Sequence, residues 1–427
     1  MDVKYCERVK GKALFASKDY SKDEIIYVLD GPIRNIADRY SIEIGVDLHI
    51  TDKFGVYMNH SFQPSTKIVG KNVIAVKDIK SGDELHFNYN DSETTMAYPF
   101  TILEGYVGGK SRRAIKKVLG IGTALVDIIG KVNESSLTKL GLSKGAMTLI
   151  NPSDIPFIRE EISDPIITSG GSVCNTIYEI ARSGYPACFF GKISNDEYGD
   201  SFYQDLNKSG ITFSGQKGDY SISTGCCHVL VTSDGERTMA TYIGIGSQLE
   251  PSDIQDDTFD NIGHVYLETY LWEHPLSRET LIEVGELSKK GDFELSISLS
   301  DPLCVTRNRD SLLKFITQYI DLVFCNYEEA VALSKKIEIT DIKEFMHNLN
   351  IKMVMTHGSL GVYYFDKNDD LYLESNLVEN VLDTTGAGDN FVAGFLIEYL
   401  QGHTILDALK SGHNRASQVI VKMGPRL

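Results

Sequence analysis

Asp383-Thr384-Thr385-Gly386-Ala387-Gly388-Asp389-Asn390-Phe391-Val392-Ala393-Gly394-Phe395 is a turn-rich run that leads straight into a helical pattern, with Phe391, Phe395 and Tyr399 recurring beside Val392 and Leu396. Glycines let backbone N–H groups approach an anion closely, and a helix start offers unpaired donors at the positive end of its dipole. The run reads as a cradle for a phosphate in transfer. Asp389 falls in the first helical turn, where a carboxylate can take the proton from an attacking hydroxyl as the bond to phosphorus forms. In this reading Asp389 is the catalytic base, the N–H groups of Gly386, Ala387 and Gly388 form the anion hole, and Thr385 lies beside the phosphates. A lone Gly-x-Gly-Asp would be a weak signal, since glycines before a helix usually make only a tight turn. The full run is far more specific.

Around it, strand-like segments at Val118 to Ile121, Leu322 to Cys325 and Met353 to Met355 alternate with helical patterns, which describes a parallel sheet covered by helices. Earlier in the chain the pattern differs. Short β-rich runs (Ala13 to Ala16, Ile25 to Leu29, Val73 to Val76, Leu85 to Phe87) alternate with turn signals such as Asp30-Gly31-Pro32 and Ser81-Gly82-Asp83, as in a small, mostly β domain. Between the two, Gly108-Gly109 and the run Lys110-Ser111-Arg112-Arg113-Ala114-Ile115-Lys116-Lys117 make a glycine-led basic joint. We expect domains at residues 1–106 and 118–427, joined by a basic linker over 107–117.

The 427 residues suffice for two or three domains with a sizeable core, and 42% apolar with 24% charged residues excludes a disordered or fibrous chain. With 42 Lys+Arg against 59 Asp+Glu the net charge is −17, which argues against broad binding to nucleic acid or anionic membrane. Residues 1–110 hold 14 basic and 16 acidic residues, so the acidity belongs to the second half and the basic joint reads as a solvated linker. No stretch reaches the ~18–20 apolar residues of a membrane span, and Met1 to Glu7 lacks the apolar core of a signal peptide, so the expected address is cytoplasmic. Seven cysteines without a C-x-x-C pair describe neither a disulfide framework nor a zinc site, and read as small buried apolar residues.

The run from Asp383 to Phe395 resembles the C-terminal signature of the PfkB, or ribokinase-like, family of sugar and nucleoside kinases. A second signature of that family resembles Gly170-Gly171-Ser172-Val173-Cys174-Asn175, followed by Gly184 and by Gly191 to Gly199, and the resemblance spans residues 115–427. It implies a ribokinase-like three-layer α/β sandwich with a mostly parallel sheet and a small β lid. It also implies ATP and Mg²⁺ as cofactors, with room for a monovalent cation, and a small-molecule sugar or nucleoside as acceptor. By the same resemblance Gly170, Gly171 and Asn175 contact the acceptor's hydroxyls, and Asp127 in Gly122 to Asp127 holds a vicinal diol. A short carboxylate accepts two hydroxyl protons and an amide both donates and accepts, which suits a ribose edge; an end-of-strand cap would give the same Asp127. Asn326-Tyr327-Glu328-Glu329 resembles the family's N-x-x-E element, implying that Asn326 and Glu329 organise Mg²⁺ and phosphate through water. A helix N-cap with an acidic first turn has the same letters. Thr356 to Gly361 resembles the stretch beside the nucleotide, with Thr356, Gly358 and Gly361 as contacts, or else a plain hairpin turn. Gly235 to Met239, Tyr266 to Trp272 and Met423 to Leu427 lean toward the adenosine-kinase-like members. Trp272 is either a base-stacking platform or, as the area it buries favours, a core residue.

Residues 10–16 and Asp78 to Leu85, with Phe87-Asn88-Tyr89, resemble the opening and closing segments of a SET domain, and Tyr57 to Pro64 resembles its Asn-His-Ser motif. This implies S-adenosylmethionine held by Asn59 and His60, a close approach at Gly11, Tyr89 beside a target amine, and a protein partner through the module. Methyl transfer needs a neutral amine, an aligned sulfonium and dry surroundings, and no metal. Departures from the pattern are Ala13, Ser65, Asn88 and the lack of cysteines soon after Tyr89 that a zinc-bound closing segment would need. The leading expectation is ATP-dependent phosphoryl transfer by the second half. The alternatives are a protein-lysine methyltransferase whose kinase-like half senses a nucleoside or sugar, and a nonenzymatic assembly module.

Overall fold

The computed structural model describes all residues except 7–10, 35–39, 46–47, 93–99, 103–104, 108–115, 292, 376–377, 379–380 and 423. The chain divides into two compact units, Met1–Ala114 with Gln401–His403 and Ile115–Leu400 with Thr404–Leu427. Most of the basic joint lies outside the described residues; Lys117, at its end, already opens a strand.

The larger unit is organised by a nine-stranded sheet in the order 212–213, 187–190, 117–121, 262–268, 294–298, 322–326, 353–356, 362–365, 371–373. Neighbours are parallel from Thr212–Phe213 through Met353–Thr356, and the last two strands run antiparallel. Successive side chains leave opposite faces of a strand, so the sheet feeds two cores. Val118, Tyr266, Phe324 and Val354 join one core with helices Ser172–Arg182, Glu197–Lys208, Ala387–Leu400 and Ile405–Val419. Leu119, Val265, Leu267, Val323, Met353 and Met355 join the other with Pro275–Ser288, Pro302–Tyr319, Tyr327–Ser334 and Ile339–Asn348. This is a helix–sheet–helix sandwich, and burial on both faces explains why these strands read as continuous apolar runs. Trp272 sits in the second core at 1% exposure, tilted against Phe315 and donating to Ser311, so it is no stacking platform. Six of the seven cysteines are buried and all are free thiols.

Where a small β lid is expected, the same unit builds a five-stranded mixed sheet in the order Met147–Leu149, Arg237–Tyr242, Gly225–Val231, Leu125–Lys131, Ser163–Gly170. One face is covered: Val126 and Ile128 enter the first core, while Leu230 and Ala240 pack with Leu137 and Ile158 of helices Glu134–Leu140 and Ile155–Glu161. Alternation then puts Asp127 and its cross-strand neighbour Cys227 on the other face.

The smaller unit is made of short strands. Among the described residues a four-stranded sheet orders Asp2–Cys6, Gly11–Phe15, Glu84–Phe87 and Asn59–His60, and two three-stranded sheets and an antiparallel strand pair accompany it. Leu14, Leu29, Ile50, Val73, Ile79, Leu85 and Phe87 form its core.

Candidate active site

The helix Ala387–Leu400 starts within the glycine run. Gly386 has φ +74, and a Cβ there would lie 2.6 Å from the backbone of Pro425, so no other residue fits. The Ala387 N–H closes the turn on the Thr384 carbonyl at 3.1 Å, and the Thr385 N–H donates to Asp383 Oδ1 at 2.9 Å. The Ala387 N–H, expected in the anion hole, is thereby spent, and the N–H groups of Gly386, Gly388 and Asp389, which find no acceptor among the described residues, form the open donors of this helix start instead.

Asp389 is held from across the chain. Ser172 Oγ donates to its Oδ1 at 2.6 Å, Asn175 Nδ2 to its Oδ2 at 3.2 Å, and Thr176 Oγ1 to its carbonyl at 3.2 Å. These donors share the first turns of helix Ser172–Arg182, whose N-cap Gly171 has φ +101. Burial pushes the Asp389 carboxyl up to about 6, against the pull of Ser172, Asn175 and the Arg426 charge. Asp127 is close to Gly170: a Cβ on Gly170 would meet the Asp127 carboxyl carbon at 2.4 Å. Burial likewise raises Asp127 to about 6; Arg426 and Arg237 oppose the shift and the Asp389 charge adds to it. The fold thus gathers Asp127, Gly170, Gly171, Asn175 and Asp389 at one place, two carboxylates with an amide beside one of them.

Asn326 and Thr356 stand side by side at the C-terminal ends of adjacent parallel strands, the edge where open α/β sheets bind ligands. Asn326 and Glu329 also form a capping box. The Asn326 N–H and Nδ2 donate to the two Glu329 carboxylate oxygens, each at 2.9 Å, and Asn326 Oδ1 accepts from the Glu329 N–H at 2.9 Å. Burial lifts Glu329 to about 7. One carboxylate and one amide already bonded to each other fit a cation reached through water, not a direct cage; among the described residues no three His, Cys, Asp or Glu side chains cluster as metal ligands. Beyond the strand, the His357 N–H donates to the Gly361 carbonyl at 2.8 Å, Gly358 opens the turn between them, and Tyr327 stacks on the His357 ring at 4.3 Å.

Several residues of this site lie in the stretches that resemble adenosine-kinase-like members but had no role assigned from the sequence. Glu268, 1% exposed, accepts from the N–H groups of Thr123 at 2.7 Å and Val173 at 3.2 Å, tying the Gly122 loop to the Gly171 loop. Arg237 pairs with Asp383 at 2.8 Å, and Asp383 also accepts from the Gly424 N–H. Arg426 reaches Asn175, Ser169 and Asp205.

In the smaller unit, Asn59–His60 runs parallel to His86–Phe87, and Asn59 Nδ2 donates to Glu84 at 3.2 Å. The Tyr89 N–H donates to His60 Nδ1 at 3.2 Å and its hydroxyl to the Met58 carbonyl at 2.7 Å. Gly11 opens the second strand of the same sheet, opposite Cys6. Asn59, His60 and Tyr89 therefore adjoin.

Comparison with known proteins locates the larger unit. Residues 148–427 match the pfkB family carbohydrate kinase profile. The structure is similar to adenosine kinase from Sinorhizobium meliloti, with 33% identity and a TM-score of 0.67 over 74% of this chain and 96% of that one. A probable sugar kinase from Rhizobium etli superposes with 31% identity and a TM-score of 0.66, over 73% of this chain and 94% of its own. In sequence the chain is 25% identical to the adenosine kinase of Dictyostelium discoideum over 329 residues, 72% of this chain and 95% of that protein.

Proposed function

The chain belongs to the pfkB family of carbohydrate kinases, and from that premise we propose that Asp389 is the base in a phosphoryl transfer from ATP to a hydroxyl of a nucleoside or sugar. The observation that carries the reading is the gathering of Asp127, Asn175 and Asp389 around an open helix start. Asp127 accepts from a pair of acceptor hydroxyls, and Asn175 bonds a neighbouring one. Asp389, raised to about 6, is ionised at neutral pH and still basic enough to accept a proton as the acceptor oxygen attacks. The N–H groups of Gly386, Gly388 and Asp389 lie ready for the charge on the moving phosphoryl group. Asn326 and Glu329 would hold magnesium through water, where the ion neutralises phosphate charge. Names of both adenosine and sugar kinases among the relatives set the panel for the test. With ATP and magnesium, the full chain should release ADP at a rate that one nucleoside or sugar raises far above the acceptor-free rate. A panel of both classes in which no member stimulates ADP release sinks the proposal.

For the smaller unit we propose a SET-like module that binds S-adenosylmethionine at Asn59 and His60 with Tyr89 beside them, supported by the adjacency of those three residues. Calorimetric titration of the full chain with S-adenosylmethionine should show one site that Asn59→Ala removes; no heat of binding at millimolar ligand overturns it.

A further inference from the structure

Arg426, in the closing stretch Met423 to Leu427, reaches the site through Asn175. Its Nε donates to Asn175 Oδ1 at 3.2 Å, its Nη1 to Asp205 Oδ2 at 3.0 Å, and its Nη2 to the Ser169 hydroxyl at 2.8 Å and the Ser169 carbonyl. The guanidinium lies 4.1 Å over the Tyr178 ring, and its side chain is 13% exposed. Asp205 anchors it from behind and also accepts from the Ser169 N–H at 2.9 Å and hydroxyl at 2.6 Å. Ser169 immediately precedes Gly170, so one side chain braces the acceptor loop and the first turn of helix Ser172–Arg182 together.

The bond to Asn175 has a directional consequence. Arginine only donates and an ionised carboxylate only accepts, whereas an amide has one end of each kind. With Oδ1 committed to Arg426, the Nδ2 end of Asn175 has to face Asp389, as it does at 3.2 Å. Remove Arg426 and the amide is held at one end only: Asp389 still selects Nδ2, but Oδ1 loses its partner and the amide plane loses its second anchor. We propose that Arg426 is a positioning residue for the phosphoryl transfer, locking the Asn175 amide against Asp389 while its bonds to Ser169 and Asp205 fix the strand end beside Gly170. This rests on Asp389 acting as the base. The groups that bear on the two carboxylates electrostatically among the described residues are each other, Arg426, Arg237, Glu268, Tyr266, Tyr270, Cys174 and Cys227. Among the described residues Arg426 is the one cation that lowers both. Lysine keeps the charge but is a point donor, unable to span Asn175, Asp205 and Ser169 while lying flat on Tyr178.

The test uses the full chain and the acceptor found by the panel. Arg426→Lys should lower kcat about 10- to 100-fold, the scale of one lost charge-assisted hydrogen bond, with the KM for ATP and the acid limb of the pH profile nearly unmoved. Arg426→Gln should lower kcat similarly and move the acid limb to higher pH, since losing a cation raises both carboxylates. Combined with Asn175→Ala, Arg426→Lys should cost less than about threefold, because the amide it orients is gone. If Arg426→Gln unfolds, as melting and ATP titration would reveal, the lysine variant and the double-mutant cycle decide alone. The proposal is overturned by wild-type-like turnover in Arg426→Lys, or by a loss of equal size with and without Asn175. An active Asp389→Asn would instead sink the assignment of the base and leave the cycle readable.

Discussion

Asp389 and Glu329 are both first-turn carboxylates lifted by burial, yet they are held in opposite ways. The side-chain donors to Asp389, Ser172 and Asn175, lie 217 and 214 residues away, while both donors to Glu329 belong to Asn326, three residues away. A capping box forms with the helix it caps and needs no tertiary structure. A carboxylate lifted to about 6 and fixed by remote groups exists only once the fold is complete. Long-range restraint is therefore the better mark of chemistry, and replacing each carboxyl by its amide tests the difference.

The largest effect is expected at Asp389. Asp389→Asn keeps the volume and the Ser172 contact but removes the base, so kcat should fall about 10²- to 10⁴-fold while ATP affinity stays within about twofold. Steady-state kinetics and an ATP titration check this, and near-wild-type turnover would remove Asp389 from the mechanism. Next in size is Asp127→Ala. It strips the acceptor of a charge-assisted partner and should weaken acceptor binding about 10- to 100-fold with little change for ATP. Equal weakening of both ligands would mean that the substitution had loosened the fold.

The same contrast explains what was legible in the sequence. The strands at Val118, Leu322 and Met353 were legible because burial on both sheet faces makes them continuous apolar runs. The Asp383 to Phe395 run was legible because its glycines and its helix are contiguous. Asn326 and Glu329 were legible as a cap because the box is local. The strand Ser163–Gly170 was not: it is an edge strand, contains Pro165, and is exposed along most of its length, so no alternation marks it. Asp205 was silent, and Ser172, Glu268 and Arg426 stood within resembling stretches without a role of their own, for another reason. Their partners are brought in by tertiary packing, and a serine, a glutamate or an arginine looks ordinary until those partners arrive.

The smallest effect is expected at Glu329→Gln, and its sign depends on pH. Glu329 ionises near 7 in the folded protein, where burial opposes the charge and Asp301 and Glu328 add to it, against an ordinary 4.5. A carboxyl raised by folding is most favourable when protonated, so its contribution is complete below about pH 4.5 and is lost as pH rises through about 7. Glutamine cannot ionise and keeps the Asn326 N–H bond, but it sets an amide NH₂ against Asn326 Nδ2 and so loses one hydrogen bond, a cost of about 0.5–1.5 kcal/mol. At pH 5 the variant should therefore melt below the wild type. By pH 8 the wild type has lost about 1–3 kcal/mol through the buried charge, so the two should melt together or in reverse order. Turnover at saturating magnesium should change less than about tenfold, because a carboxylate that acts through water contributes less than one that takes the proton. Parallel melting curves from pH 5 to 8 would show that Glu329 does not titrate in this range. A loss of turnover as large as that of Asp389→Asn would show that the local box is catalytic in its own right, and the contrast between the two carboxylates would fail.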